Sequence, residues 1–292
     1  MATEPNHLLE YSIDSLLKVF NPDRKPILYK YHFFKLMNLL DSELKTQGVD
    51  IKLPGYWYKY GFYVDLNFLD IVLPRKFTKN YVLNNTIVPA ARTRREYKIE
   101  PDIKRKVDLA VHRLWNQYGF KSKYGEKAKK DSYEINAPYK FNSIFQDYIE
   151  TVKRKEVGFT SRKEQLEPLL DNLLNTFSEE DFSELFDVYL EWDDTTRLII
   201  DCISNKEQYD LTNSLMELFW DVYSNGVKII HNQNIPDDEI IVKWKKSYKA
   251  SIPILYEQIE DVREGIISKH HETFDENVET VTKLMKCAYE IH

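Results

Sequence analysis

Eight glycines in 292 residues leave this chain few places to turn tightly. Two-residue hairpins and left-handed turns lean on glycine, so a many-stranded β fold fits poorly and helices are favoured. Apolar residues recur at helical spacing along much of the chain. Leu9, Ile13, Leu16, Leu17 and Phe20 form a first stripe that Asn21-Pro22 ends, and Tyr31, Phe34, Met37, Leu40 and Leu44 form a second that runs from Pro26 to Gly48. Asp65 stands where a short helix through Leu66, Leu69 and Val72 needs a cap. Pro101 opens a helix bearing Ile103, Val107, Ala110, Leu114 and Tyr118, which Gly119 stops. Leu166, Leu169, Leu170, Leu173, Leu174 and Phe177 mark a helix of the second half, and Ser178 is placed to cap the next. Pro253 opens the last region, readable as one long helix or as two with a break near Lys269. Extended structure is confined to Val49–Leu53 and the aromatic run Tyr56–Tyr63, the latter a strand or a packed aromatic loop. The expected fold is mainly α: an N-terminal helical half with a small, winged-helix-like β element, and a C-terminal all-α bundle.

Charge divides the chain more sharply than hydropathy does. Residues 1–160 carry 28 Lys and Arg against 19 Asp and Glu, a net of +9; residues 161–292 carry 13 against 28, a net of −15. The segment 153–164 is charged and weakly periodic. A basic domain is therefore expected over 1–155 and an acidic helical domain over 165–292. One half meeting a polyanion, or the two halves attracting each other within or between chains, would both account for the split. The two cysteines, Cys202 and Cys287, form neither a disulfide scaffold nor a CxxC pair, which suggests a reducing, cytoplasmic setting. No leader-like start and no long apolar run is evident, so no membrane partner is expected.

Positive charge concentrates between Arg75 and Lys106. Arg75, Lys76, Lys79, Arg92, Arg94, Arg95, Lys98, Lys104 and Arg105 form the candidate nucleic-acid-binding set, DNA or RNA, with Tyr81 and Tyr97 near enough in sequence to stack on bases. A solvated basic face, or one docked on an acidic protein partner, is the alternative. Residues 56–63 read as core packing beside a turn rather than as a platform. Glu191, Asp193 and Asp194 with Asp187, and His270, His271 and Asp275, have the residue types for a metal, but solvated helix ends explain them as well; no cofactor is expected. No Walker A loop, GxGxxG, GxSxG or HExxH is present.

Arg263 with His270, and Arg105 with His112, share the spacing Arg-x6-His. Their arrangement resembles that of HEPN-type ribonucleases, where it would imply a histidine acting on the 2′-hydroxyl and an arginine holding the phosphate. Glu264 departs from the residue that usually follows the arginine there. The helix Ile27–Leu44 followed by Trp57-Tyr58-Lys59-Tyr60-Gly61 resembles Panacea-type antitoxin domains over residues 27–73, with Phe62 where that family has proline. Asn136-Ala137-Pro138-Tyr139-Lys140-Phe141 is similar to a junction in uncharacterised archaeal proteins. The antitoxin resemblance implies a helical interaction module in toxin neutralisation or phage defence. The leading expectation is thus a noncatalytic interaction or regulatory protein with a protein or nucleic-acid partner, able to form homo-oligomers. A helical ribonuclease using Arg263 and His270 is the alternative.

Overall fold

The computed structural model describes residues 6–289 except 23–26, 60, 85, 90–95, 120–123, 155–158 and 203–205, and omits the side chains of 124–126, 129, 159–160, 202 and 269–289. The described residues form eleven helices and two three-stranded antiparallel sheets, a mainly α fold. By their internal contacts they fall into two compact units: residues 1–138 with 224–245, and residues 139–223 with 246–292.

In the first unit, α1 (His7–Phe20) starts at Asn6, whose side-chain oxygen accepts the Leu9 amide hydrogen at 2.9 Å. Its apolar stripe is buried, with Leu9, Leu16 and Leu17 fully enclosed. β1 (Leu28–Tyr29) leads directly into α2 (Lys30–Lys45), and Gly48, at φ +72°, turns the chain beyond it. α2 is buried nearly all round: Phe33, Leu36, Met37, Leu40 and Leu44 are enclosed, but so are the polar Lys35, Asn38 and Asp41. Buried polar groups are costly unless partnered, so this helix is where a site is to be sought.

The aromatic run forms a hairpin, β2 (Gly55–Tyr58) against β3 (Gly61–Tyr63), whose register pairs Tyr56 with Tyr63 and Trp57 with Phe62. The extended segment expected at Val49–Leu53 forms no strand. β6 (Asn232–Gln233) joins the other side of β2. α3 (Leu66–Val72) begins at Asp65, whose carboxylate accepts the Asn67 amide hydrogen at 2.8 Å. α4 (Phe77–Tyr81), β4 (Val82–Leu83) and β5 (Thr86–Ile87) follow, and β5 pairs with both β1 and β4. α5 (Pro101–Tyr118) and α6 (Tyr124–Asn136) complete the unit's own helices, with Pro101 in the first turn as expected.

The second unit is helical: α7 (Lys140–Lys153), α8 (Phe159–Leu174), α9 (Ser183–Cys202), most of α10 (Lys206–Ile230) and most of α11 (Asp238–Tyr289). Its core is aromatic. Phe145 stacks on Trp220 at 4.5 Å, Phe177 on Tyr189 at 4.3 Å, and Trp192 on Phe219 at 4.7 Å. Tyr148, Tyr189 and Tyr223 are buried here as part of that core, and the Tyr223 hydroxyl donates to Asn142 Oδ1 at 3.1 Å. α9 begins at Ser183, later than a cap at Ser178 would have it, because residues 179–182 form turns. α11 is one continuous helix that passes through Pro253 and does not break near Lys269. Pro253 is exposed, so water can reach the Lys249 carbonyl that the missing N–H leaves unbonded.

Candidate functional site

The three-stranded sheet β3-β2-β6 presents two different faces, because side chains alternate along a strand. On one, Tyr56 and Tyr58 of β2 meet Lys228 from the last turn of α10 and Trp244 from the start of α11. The Lys228 ammonium stands 3.8 Å from the centre of the Trp244 ring, 4.7 Å from that of Tyr56 and 5.6 Å from that of Tyr58. Such ring faces attract a cation. Burial pulls the Lys228 amine down to about 8, and the Asp65 carboxylate pulls it back up.

On the other face, Trp57 and its register partner Phe62 line a cavity of about 320 Å³ together with polar residues of α2, α6 and β6. Asp41 is the centre of its network. Lys45 Nζ donates to Asp41 Oδ2 at 2.7 Å and to Gln233 Oε1 at 3.0 Å, while Gln233 Nε2 donates to Asp41 Oδ2 at 3.3 Å and to the Leu53 carbonyl at 3.2 Å. Ser42 Oγ donates to Asn136 Oδ1 at 2.6 Å, which orients that amide. Two atoms are left over: Asp41 Oδ1 and Asn136 Nδ2 are buried without a hydrogen bond from the protein. Burial raises the Asp41 carboxyl above the usual carboxylate range, against the opposing pull of Lys45. No local sequence pattern marks this site. Its residues lie as far apart as Asp41 and Gln233, and a polar residue in an apolar helical stripe was the only available signal.

The basic segment separates into structural and exposed members. Arg75 Nε donates to Glu10 at 2.8 Å, and Glu10 is only 2% exposed, so this arginine is an anchor. Lys104 lies 6.0 Å from the Tyr11 ring centre, and Arg105 pairs with its neighbour Asp102 at 3.5 Å while both remain exposed. Lys76, Lys79 and Lys98 are exposed and take no ion pair among the described residues. Arg92, Arg94 and Arg95 lie outside the described residues. Lys98 lines a groove of about 660 Å³ at the starts of α1 and α5, with Asn6, His7 and Pro101. The Asn6 amide donates to the Val72 carbonyl at 2.9 Å, bringing the chain just before Arg75 and Lys76 to the same end of α1.

Of the two suggested stacking tyrosines, Tyr81 is not available as a platform, while Tyr97 is half-exposed. Tyr81 is fully buried and stacked on Phe77, because α4 turns that face into the core. Tyr97 packs edge-on against Tyr11, and its hydroxyl donates to Asp14. In the second unit the Arg263 guanidinium is paired with Glu191, while the His270 side chain, like those of His271 and Asp275, lies outside the described residues. Asp193 is held by Arg197 at 2.8 Å. Among the described residues no group of three or more His, Cys, Asp or Glu is arranged to hold a metal, and no helix is long and apolar enough to cross a membrane.

No family model, curated protein or solved structure matches the chain.

Proposed function

We propose that this is a noncatalytic interaction protein whose first unit contacts a polyanion, DNA or RNA, through its basic segment. The observation that carries the reading is that Lys76 and Lys98 are exposed, take no ion pair among the described residues and lie towards one end of α1, where Glu100 also lines the groove. Exposed Lys98 lines the groove where α1 and α5 begin, and exposed Lys76 follows the segment tied to the same helix end. Helix N-termini add partial positive charge at such a place. Lys79 and Arg105 extend the basic set, and the sequence adds Arg92, Arg94 and Arg95 between them. Arg75 is excluded from the contact set because Glu10 already neutralises it. The resemblance of residues 27–73 to antitoxin domains supports toxin neutralisation or phage defence as the setting.

A mobility-shift titration of the full chain against duplex DNA and single-stranded RNA, at low and at moderate salt, tests the proposal. Retardation that weakens steeply with salt is expected. No retardation of either nucleic acid at low salt would remove it.

A further inference from the structure

We propose that Lys228 is a covalent site for small neutral aldehydes, which its amine captures as an imine. The inference is independent of the polyanion reading, since it uses none of the basic segment.

Two observations meet at this amine, and one reaction reconciles them. The first is what the amine lacks. Lys228 is half-buried in the last turn of α10, and among the described residues its ammonium takes no hydrogen bond and no ion pair. An ammonium carries three N–H donors and is strongly hydrated, so a half-buried place without acceptors favours the neutral amine. Its fall to about 8 through burial, against the pull of Asp65, agrees with this. Desolvation of this kind makes a lysine nucleophilic at neutral pH. The second observation is what surrounds the nitrogen. Trp244, Tyr56 and Tyr58 face it at 3.8, 4.7 and 5.6 Å, and ring faces attract a positive charge.

Imine formation uses both. The lone pair of the neutral amine attacks the carbonyl carbon and a C–N bond forms. The carbonyl oxygen then leaves as water, taking both amine protons, and a C=N bond remains. A proton from solvent converts this to an iminium, a cation with one N–H in place of three. The iminium keeps the attraction of the rings and of the Asp65 carboxylate while asking for a single acceptor. The surroundings therefore disfavour the ammonium and favour the ion that replaces it. Asp65 also sets the class of aldehyde: its carboxylate acts on this site through charge, so it opposes an anionic aldehyde and leaves a neutral one unaffected.

Full-length protein is incubated at about pH 7.5 with propionaldehyde and sodium cyanoborohydride, which reduces the iminium to a stable secondary amine. Peptide mass spectrometry follows the adduct at each lysine. Lys243 and Lys245, exposed and without an ion pair among the described residues, serve as internal references. At that pH roughly a quarter of an amine titrating near 8 is neutral, against about 0.1% of an ordinary lysine. Lys228 is expected to be labelled about tenfold or more faster than either reference. The lead should vanish in urea-unfolded protein, and it should shrink when glyoxylate, an anionic aldehyde, replaces propionaldehyde. Labelling of Lys228 no faster than that of the references overturns the proposal. A lead that survives in urea also overturns it, because the cage is then not its cause. A lead larger with glyoxylate than with propionaldehyde overturns the neutral class.

Discussion

Lys228 Nζ lies 3.8 Å from the centre of the Trp244 ring, with Tyr56 and Tyr58 on its other sides. A lysine ordinarily titrates near about 10.4, and burial brings this one to about 8. Between those values the unfolded chain holds a proton that the folded chain has released, so the contribution of Lys228 to stability rises with pH across that window. The urea midpoint of the wild type, measured relative to that of Lys228→Met, is expected to climb from about pH 7.5 to about pH 10. A difference that stays flat or falls contradicts the depressed amine.

Glu10 and Arg75 form the partly buried pair that takes one arginine out of the basic surface. Removing Arg75 leaves a carboxylate that is 2% exposed without that partner. Arg75→Ala is expected to destabilise by about 1–3 kcal/mol, the usual cost of leaving a buried acceptor without its partner. Lys76→Ala, one residue on and exposed, should change stability by no more than about 0.5 kcal/mol. Chemical denaturation of both variants checks the contrast between anchor and contact residue.

Much of the fold could be read from residue order because its signals are local. The α1 stripe, the Asp65 cap and the Pro101 start each depend on residues within a few positions of one another, and each is found where expected. Tyr81 shows where that reading fails: its helix is five residues long, too short for periodicity to tell which side faces the core. The cavity was illegible for a different reason. Asp41, Asn136 and Gln233 meet only after α2, α6 and β6 have packed, and no spacing rule links them. Lys228 was likewise one more charged residue on a helix until Trp244 and β2 were seen around it.

Gly55 is confined by the hairpin it opens. A Cβ there would overlap the Phe62 ring and lie 2.6 Å from the Tyr63 carbonyl oxygen, whereas one at Gly265 on α11 meets nothing within 4 Å. Gly55→Ala should cost about 1–3 kcal/mol through overpacking. Gly265→Ala should gain up to about 1 kcal/mol from helix propensity. Thermal unfolding of the two variants is expected to shift in opposite directions.

Trp192 is fully buried in the second unit, packed on Phe145, Tyr148 and Phe219, with its indole N–H donating to the Leu215 carbonyl at 3.0 Å. Trp192→Ala should destabilise by about 3–5 kcal/mol. Urea denaturation followed by circular dichroism measures it, and a loss below about 1 kcal/mol would contradict this account of the core.

The central claim is that exposed lysines of the first unit meet phosphates. It is tested most directly by fluorescence anisotropy of a labelled duplex oligonucleotide, comparing the wild type with the combined variant Lys76→Ala, Lys79→Ala, Lys98→Ala across a range of salt. Each duplex phosphate contact contributes a slope of about 0.9 in log affinity against log salt. The account predicts a steep wild-type slope that falls by about 2.7 in the variant, with affinity reduced at every salt concentration. Equal slopes and equal affinities for the two proteins would contradict it.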